Sequence, residues 1–341
     1  MSLPHPVEGL VQPTSGALLD RFGRQHTYLR VSVTDRCNYR CVYCMPAQGV
    51  NWMKRDDLLS YEEIVRIVRV MSTMGIHRIR LTGGEPTVRR DLHVLIAVLN
   101  DIDGIDDISM TTNAHLLASR AQVLADAGLR RVNISLDTLD ADQFRRITRG
   151  GDLKRVLAGI DACVAAGLSP IKINAVIVQG ENEDQVSALV DHFAPMGEGV
   201  HVRFIEAMPF ARAASRHVGS AMLRERLGGD RTLVEVPAQG GGPARLWKVR
   251  ATGMLVGFIS PMTEHFCEAC NRLRLSADGN LRTCLSREPE PSLRQLLRDG
   301  MTDNALDVEL RRRVWGKVAG HMARDEDGGI AFEGTMTQIG G

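Results

Sequence analysis

The chain lacks an excess of charge of either sign. Its 42 basic residues face 41 acidic ones, for a net charge of +1. Holding nucleic acid without regard to sequence requires a basic face that displaces counterions, so nucleic-acid binding is not expected, and any phosphate binding should be local. No apolar run is long enough to cross a bilayer, and the start, Met1-Ser-Leu-Pro-His-Pro, has no basic segment leading into an apolar one. Both absences point to a cytoplasmic protein without membrane attachment. Internal repeats are missing, and low complexity is confined to the glycine run at 240–242. A disulfide framework is not expected either. Seven cysteines is an odd number, and six of them fall into two tight groups, which suits metal ligation in a reducing compartment.

The first group is Cys37, Cys41 and Cys44, in Thr34-Asp-Arg-Cys-Asn-Tyr-Arg-Cys-Val-Tyr-Cys, directly after the alternating run Tyr28-Leu-Arg-Val-Ser-Val. Iron-sulfur clusters usually take four thiolates. Three on one loop leave one iron of a 4Fe-4S cubane open to a small molecule. Structural zinc wants four closed ligands, commonly in two short pairs, and no histidine stands beside this triad. Cys163, in the helical pattern Ile160-Asp-Ala-Cys-Val-Ala-Ala-Gly, reads as core, because free cysteine packs as a small hydrophobe.

From Tyr28 to Met208 short β-rich runs alternate with helical ones, which favours a parallel sheet with crossover helices. Strands are expected at 28–34, 78–83, 107–113, 130–137, 170–178 and 200–208, and helices at 61–74, 90–100, 115–127, 152–166 and 182–194. Ser60-Tyr-Glu-Glu63 reads as a capping box, and Gly75, Gly128 and Gly167 stand where helix C-caps belong. Six βα units are too few to close an eight-stranded barrel, so an incomplete barrel and an open doubly wound sheet both fit the pattern. Either places a site at the C-terminal ends of the strands. After Met208 glycine and proline punctuate 228–229 and 240–243, with short strands expected near 231–236, 245–250 and 254–259 and a helix near 303–318. A boundary near 215–240 divides the chain into a tail (1–26), a barrel-sized domain (27–225) and a C-terminal region (226–341).

The second group is Cys267, Cys270 and Cys284. Taken alone, Cys-x-x-Cys also fits zinc or a redox pair, with His265 or His217 available as a fourth zinc ligand. Between Cys270 and Cys284 lies Asn271-Arg-Leu-Arg-Leu-Ser-Ala-Asp-Gly-Asn280, where Asp278-Gly279 suggests a hairpin turn. Arg272 and Arg274 would share one face of a strand, and two guanidinium forks suit phosphate oxygens. Earlier, Leu81-Thr-Gly-Gly-Glu-Pro-Thr87 puts two glycines and a carboxylate at a strand end, where glycine lets a ligand approach the backbone closely. Polar residues also interrupt the apolar strands at Arg30, Arg80, Thr111, Ser135, Lys172 and Arg203. Several unpaired cations turned into one cavity would require an anion to fill it, and a polyphosphate qualifies.

Cys-x-x-x-Cys-x-x-Cys followed by Gly-Gly-Glu-Pro resembles the radical S-adenosylmethionine (SAM) superfamily. With Cys267-Glu-Ala-Cys-Asn-Arg-Leu-Arg-Leu, Cys284 and the final Gly340-Gly341, nearly the whole chain is similar to the GTP 3′,8-cyclases of molybdenum cofactor biosynthesis; only residues 1–26 and 229–245 look unconstrained. The resemblance implies an α/β fold, an incomplete (β/α)6 TIM-type barrel with a C-terminal α+β extension carrying a second iron-sulfur cluster, and removes the doubly wound alternative. By the same resemblance, Cys37, Cys41 and Cys44 hold a 4Fe-4S cluster whose open iron chelates SAM, and Tyr43, Gly84, Ser135 and Met208 contact SAM. Arg30, Arg80, Thr111, Lys172, Arg272, Leu273 and Arg274 contact GTP. Cys267, Cys270 and Cys284 hold a second 4Fe-4S cluster, and Gly340-Gly341 reaches the active site. The implied reaction begins with one-electron cleavage of SAM to a 5′-deoxyadenosyl radical, which takes hydrogen from ribose C3′ before that carbon joins guanine C8. A low-potential electron donor and a cyclic pyranopterin monophosphate synthase as recipient of the product are the implied partners, for a monomer or homodimer. A peptide-modifying radical SAM maturase is one rival, although it leaves Arg272 and Arg274 unexplained. A non-catalytic iron-sulfur carrier or a zinc-stabilised binding module is the other, with no use for Gly-Gly-Glu-Pro.

Overall fold

The computed structural model describes residues 4–208, 218–229, 231–237, 242–264, 266–285 and 290–320. Its strands are β1 (Tyr28–Ser32), β2 (Arg78–Thr82), β3 (Asp107–Thr112), β4 (Arg131–Ser135), β5 (Ile171–Ile177), β6 (Val200–Glu206), β7 (Leu233–Val236), β8 (Arg245–Val249), β9 (Leu255–Ile259), β10 (Arg272–Leu275) and β11 (Leu281–Arg282). They form one sheet in the order β11-β10-β1-β2-β3-β4-β5-β6-β9-β8-β7. β1 to β6 are parallel and adjacent in chain order. A doubly wound sheet reverses its strand order at a switch point, and the run from β1 to β6 does not. It is an incomplete barrel, as the resemblance implied.

The C-terminal strands extend both margins of that barrel sheet. β9 lies parallel to β6 and continues into the antiparallel β8 and β7. β10 returns to the other margin, parallel to β1, and turns back through β11. The Asp278-Gly279 turn is where the sequence put it: Ser276 N–H donates to the Asn280 carbonyl at 2.9 Å, and Gly279 takes φ +86°.

Helices cover the outer face: α1 (Tyr61–Thr73), α2 (Leu92–Asn100), α3 (Ala121–Asp126), α4 (Ala141–Thr148), α5 (Leu153–Ala165), α6 (Gln185–Phe193), α7 (Ser220–Gly228), α8 (Leu293–Arg298) and α9 (Asp303–Trp315). The capping box is real, with Glu63 N–H donating to Ser60 Oγ at 3.2 Å and Ser60 N–H donating to Glu63 Oε2 at 2.8 Å. The helix expected at 115–127 is instead a 3-10 turn at Leu117–Ser119 followed by the short α3. α4 was not anticipated, although Asp140 caps it by accepting from Gln143 N–H.

Buried parallel strands commonly read as continuous apolar runs, and these alternate. In β5, Ile171, Ile173, Ala175 and Ile177 are buried, while Lys172, Asn174 and Val176 line the inner cavity. The outward residues join one apolar core running from Leu18 to Val314. Leu18 belongs to it, Asp20 and His26 are also fully buried, and Leu18 N–H donates to the Met74 carbonyl at 2.9 Å. Cys163 is buried there too, as expected.

Candidate active site

One cavity of 470 Å³ runs along the inner face of the barrel sheet, lined from the strand starts at Tyr28, Arg78 and Arg131 to the loops past the strand ends at Cys37, Gly84 and Asn113. Among the described site candidates, both cysteine groups line it, together with Tyr43, Gly84, Ser135, Met208, Arg30, Arg80, Thr111, Lys172, Arg272 and Arg274. Leu273 does not. Its side chain is fully buried in the core on the opposite face of β10, where it pairs with Leu29. Gly340 and Gly341 lie outside the described residues, as do His217 and His265.

The Cys37–Cys44 loop follows β1 and rests on the turn after β2. Gly84 N–H donates to the Thr34 carbonyl at 2.8 Å, and Glu85 N–H to the Arg36 carbonyl at 2.8 Å. A Cβ at Gly83 would stand 2.6 Å from the Thr34 oxygen, and one at Gly84 2.4 Å from the Arg36 oxygen. The two glycines therefore serve contact between this turn and the cysteine loop, in addition to whatever room they leave a ligand. Glu85 is buried beneath them. It accepts from Thr87 and Thr112 hydroxyls and from Asn113 N–H, joining the turns after β2 and β3, while burial raises its pKa.

The three thiols of this loop are free of disulfides. Cys37 Sγ is approached by two donors, Tyr39 N–H at 3.4 Å and Asn113 Nδ2 at 3.9 Å, of the kind that orient a metal-bound thiolate. Burial pushes the Cys37 thiol up to about 11 and Cys41 upward as well, so ionising them calls for a metal's charge beside them. No three His, Cys, Asp or Glu side chains among the described residues converge as on a single metal ion. Thiolates at separate corners of a cubane stand further apart, and this donor set fits a 4Fe-4S cluster. Tyr43 turns its hydroxyl to Asp137 Oδ2 at 2.7 Å, and Val176 N–H donates to Oδ1 at 2.9 Å. Burial nonetheless raises the Asp137 carboxyl to about 6, against both hydrogen bonds.

The cationic wall is built by strand register. Arg274 on β10, Arg30 on β1 and Arg80 on β2 stand side by side. Like charges placed directly across strands repel. Burial, then Arg274, depresses Arg30; burial also depresses Arg80 and brings Arg274 down to about 10. On the far wall, burial followed by Arg203 brings Lys172 down to about 6, and burial followed by Arg80 brings Arg203 to about 9. Cavity-lining groups also hold buried atoms with no hydrogen-bond partner among the described residues: Tyr28 Oη, Arg30 Nε, Thr111 Oγ1, Asn133 Oδ1, Asn174 Oδ1 and Arg203 Nε. Buried polar atoms are normally paired. A polar anion that fills the cavity satisfies the donors and offsets the repulsion.

Arg272 and Arg274 do share a face, but their surroundings differ. Arg272 lies over the Phe266 ring at 4.8 Å, with Nη2 3.9 Å from Cys270 Sγ. It thus stands on the second cysteine group, whereas Arg274 stands beside Arg30.

Several residues escaped sequence reasoning. Lys317, almost fully buried, donates to the Arg272 carbonyl at 2.8 Å and approaches Cys270 Sγ at 3.7 Å. Burial opposes ionisation of Cys270, yet Lys317 and Arg272 outweigh it and hold the thiol near about 6. Arg24 donates to the carbonyls of Cys267, Val318 and Ala319 and is held by Asp20, which also meets His26. Neither Lys317 nor Arg24 is near a cysteine in sequence, so no local pattern could have marked them. Arg203 was noted as a strand-borne cation but not assigned to the ligand. Asn133 and Asn174 carry the same period-two signal.

Residues 31–193 match the Radical SAM superfamily, and residues 200–323 match Molybdenum Cofactor Synthesis C. Streptococcus suis SuiB bound to S-adenosylmethionine shares the fold, with a TM-score of 0.63 at 16% identity over 89% of this chain and 70% of that one. Sequence similarity is much higher to proteins named GTP 3′,8-cyclase. That of Rhodopseudomonas palustris is 44% identical over 311 residues, 89% of either chain. That of Hydrogenovibrio crunogenus is 41% identical over 333 residues, covering 95% of this chain and 100% of its own. The Pelotomaculum thermopropionicum protein is 44% identical over 329 residues, 94% of this chain and 99% of its own. With its cysteine triad, its Gly-Gly-Glu-Pro turn and its cationic cavity in place, the chain belongs to the GTP 3′,8-cyclase family of radical SAM enzymes.

Proposed function

We propose that this protein converts GTP to (8S)-3′,8-cyclo-7,8-dihydroguanosine 5′-triphosphate, the first step of molybdenum cofactor biosynthesis. One observation carries the reading: a single cavity has a cysteine triad at one wall, a second triad at another and a cation-lined sheet between them. When bound, a reduced 4Fe-4S cluster supplies the electron that turns SAM into a hydrogen-abstracting 5′-deoxyadenosyl radical. Everything else is positioning. Arg30, Arg80, Lys172, Arg203 and Arg274 would hold the triphosphate, with Thr111, Asn133 and Asn174 offering further polar contacts. Gly84, Ser135, Met208 and Tyr43 would border SAM, Tyr43 being steadied by Asp137. Gripping the nucleotide at its phosphate end presents C3′ to the radical in a water-poor cleft.

The second triad is proposed to hold another 4Fe-4S cluster, with Lys317 and Arg272 supplying positive charge beside it. The protein is proposed to act in the cytoplasm, drawing electrons from a low-potential donor and passing its product to a cyclic pyranopterin monophosphate synthase. No helix among the described residues is long and apolar enough to cross a membrane. The likeness to SuiB is one of fold, and a peptide-modifying role has no use for the cationic wall.

The deciding experiment supplies anaerobically reconstituted protein with dithionite, SAM and GTP deuterated at ribose C3′. The 5′-deoxyadenosine formed should be one mass unit heavier. Unlabelled product at a GTP-independent rate would favour the maturase, and none at all, with clusters intact, the carrier. Iron content should fall by half when Cys267, Cys270 and Cys284 are replaced by Ala.

Lys172 gives a pH signature. It is largely neutral above about 6 in the free protein, and a triphosphate favours its charged form, so binding takes up a proton. Affinity for GTP should weaken as pH rises from about 6 to 8, by up to about tenfold per unit. Lys172→Met should flatten this dependence to what GTP's own phosphate titration leaves; an unchanged slope would remove Lys172 from the site. The role of Gly340-Gly341 rests on the resemblance.

A further inference from the structure

We propose that the face formed by the Cys37–Cys44 loop and α4 is the docking surface for an acidic, low-potential one-electron carrier protein. The inference rests on the reading that an external donor reduces a cluster held by this loop. It starts from how the loop is built. Arg40 N–H donates to the Thr148 carbonyl at 3.1 Å, and Val42 N–H to the Ile147 carbonyl at 2.9 Å, so the loop docks on the last turn of α4. Arg149, just past that turn, donates back to the Arg40 carbonyl at 3.2 Å and the Met45 carbonyl at 2.8 Å. The helix turns Phe144, Ile147 and Thr148 inward and leaves Arg145 and Arg146 exposed. Its outer face is therefore continuous with the outer surface of the loop.

That surface is basic, whereas the rest of the chain is slightly acidic. Residues 36–49 and 141–155 hold seven basic side chains and two acidic ones, all exposed, in a protein of net charge +1. Of the two aspartates, Asp142 pairs with Arg145 at 3.4 Å and Asp152 caps α5. Arg36, Arg40 and Arg146 make no ion pair among the described residues. Scattered exposed arginines would mean little, since solvated charge is ordinary on a surface. Their gathering on the outer side of the ligand loop is different. The inner side faces the cavity, where SAM and substrate belong, so an electron entering by the short route comes through the loop itself. Val42, more than a third exposed between Cys41 and Cys44, supplies a small apolar centre within the basic ring. Small, charge-rimmed contacts of this kind suit transient electron-transfer encounters, where charge speeds association more than it tightens binding.

The test is anaerobic stopped-flow transfer from reduced flavodoxin, an acidic carrier, to the cluster-loaded protein, with photoreduced 5-deazariboflavin as a small uncharged control. Transfer from flavodoxin should slow steeply as ionic strength rises from about 0.05 M to about 0.3 M. At low salt Arg40→Glu/Arg146→Glu should cut it at least about tenfold and abolish the salt dependence. Reduction by the deazaflavin should be unchanged, as should transfer in Arg250→Glu, a charge reversal on the turn after β8. Equal loss in Arg250→Glu, or no loss in the double variant, would overturn the docking surface. If the double variant also resists the deazaflavin, its loop is damaged, and Arg146→Glu, on the helix alone, decides the matter by the same criteria. Failure of the deazaflavin to reduce the unaltered protein would instead sink the underlying reading that the loop holds a reducible cluster.

Discussion

Gly84→Ala is expected to cut SAM cleavage by at least about a hundredfold, the order of loss that an ångström-scale misplacement of reacting groups produces. The new Cβ would lie 2.4 Å from the Arg36 oxygen and 2.5 Å from the Asp35 oxygen. These are backbone atoms, and no rotamer change relieves the clash. The loop must retreat and carry Cys37 with it. The hydrogen bonds from Gly84 and Glu85 N–H to that loop are lost in the same movement. Overpacking of this kind costs about 1–3 kcal/mol of stability, which a large domain survives. The variant should therefore fold yet lose iron from the first group and form little 5′-deoxyadenosine. Gly199→Ala is the control, because nothing lies within 4 Å of a Cβ there. If Gly84→Ala cleaves SAM at the normal rate, the turn after β2 does not position the cysteine loop.

The second large effect concerns Arg203. This side chain is 9% exposed, and its Nε has no partner among the described residues. It lies against the neighbouring strand where β9 carries Gly257, whose missing Cβ would stand 3.1 Å from Arg203 Cγ. Removing a charge-assisted hydrogen bond costs about 1.5–3 kcal/mol, so Arg203→Met should weaken GTP binding about 10- to 150-fold. GTP-independent cleavage of SAM should be unaffected, because Arg203 is placed with the triphosphate and not with the cysteine loop. Thermal stability in the absence of GTP should hold or rise. A buried, unsatisfied cation disfavours the free fold, and an apolar side chain of similar length removes that cost. Weaker binding with lower stability would mean that Arg203 supports the sheet instead of the ligand. The combination expected here is that of a site built for its ligand at the expense of the empty state.

How far the sequence could be read depended on the distance over which each feature is decided. The six barrel strands and the helix cap at Ser60 follow from residues a few positions apart, and they appear where the pattern put them. The short α3 is an exception with a visible cause: chain that could have been helical is spent on the turn at Leu117–Ser119. The first cysteine triad was legible because three ligands within eight residues need no tertiary information; in the second only the Cys267/Cys270 pair is local, and Cys284 stands fourteen positions on. Period-two alternation placed Lys172 and Asn174 on one face, but not whether that face looks into the barrel or towards α5 and α6, since either choice has the same spacing.

The amino-acid sequence by itself determined the chemistry available to this protein: two sets of thiols, a glycine-rich turn and cations spaced along strands. Local conformational preference, set by side chains two to four positions apart, was enough for that. Only the tertiary structure decided that β10 crosses some 240 residues of chain to lie beside β1, setting Arg274 against Arg30 and Arg272 against Cys270. It also decided that Lys317 and Arg24 close around the second triad, and that Leu18 joins the core. Pairings between segments so far apart are selected by burial of the whole apolar set at once, against the entropy of closing long loops. No local pattern carries that sum, and it is what gathers scattered cations and cysteines around one cavity.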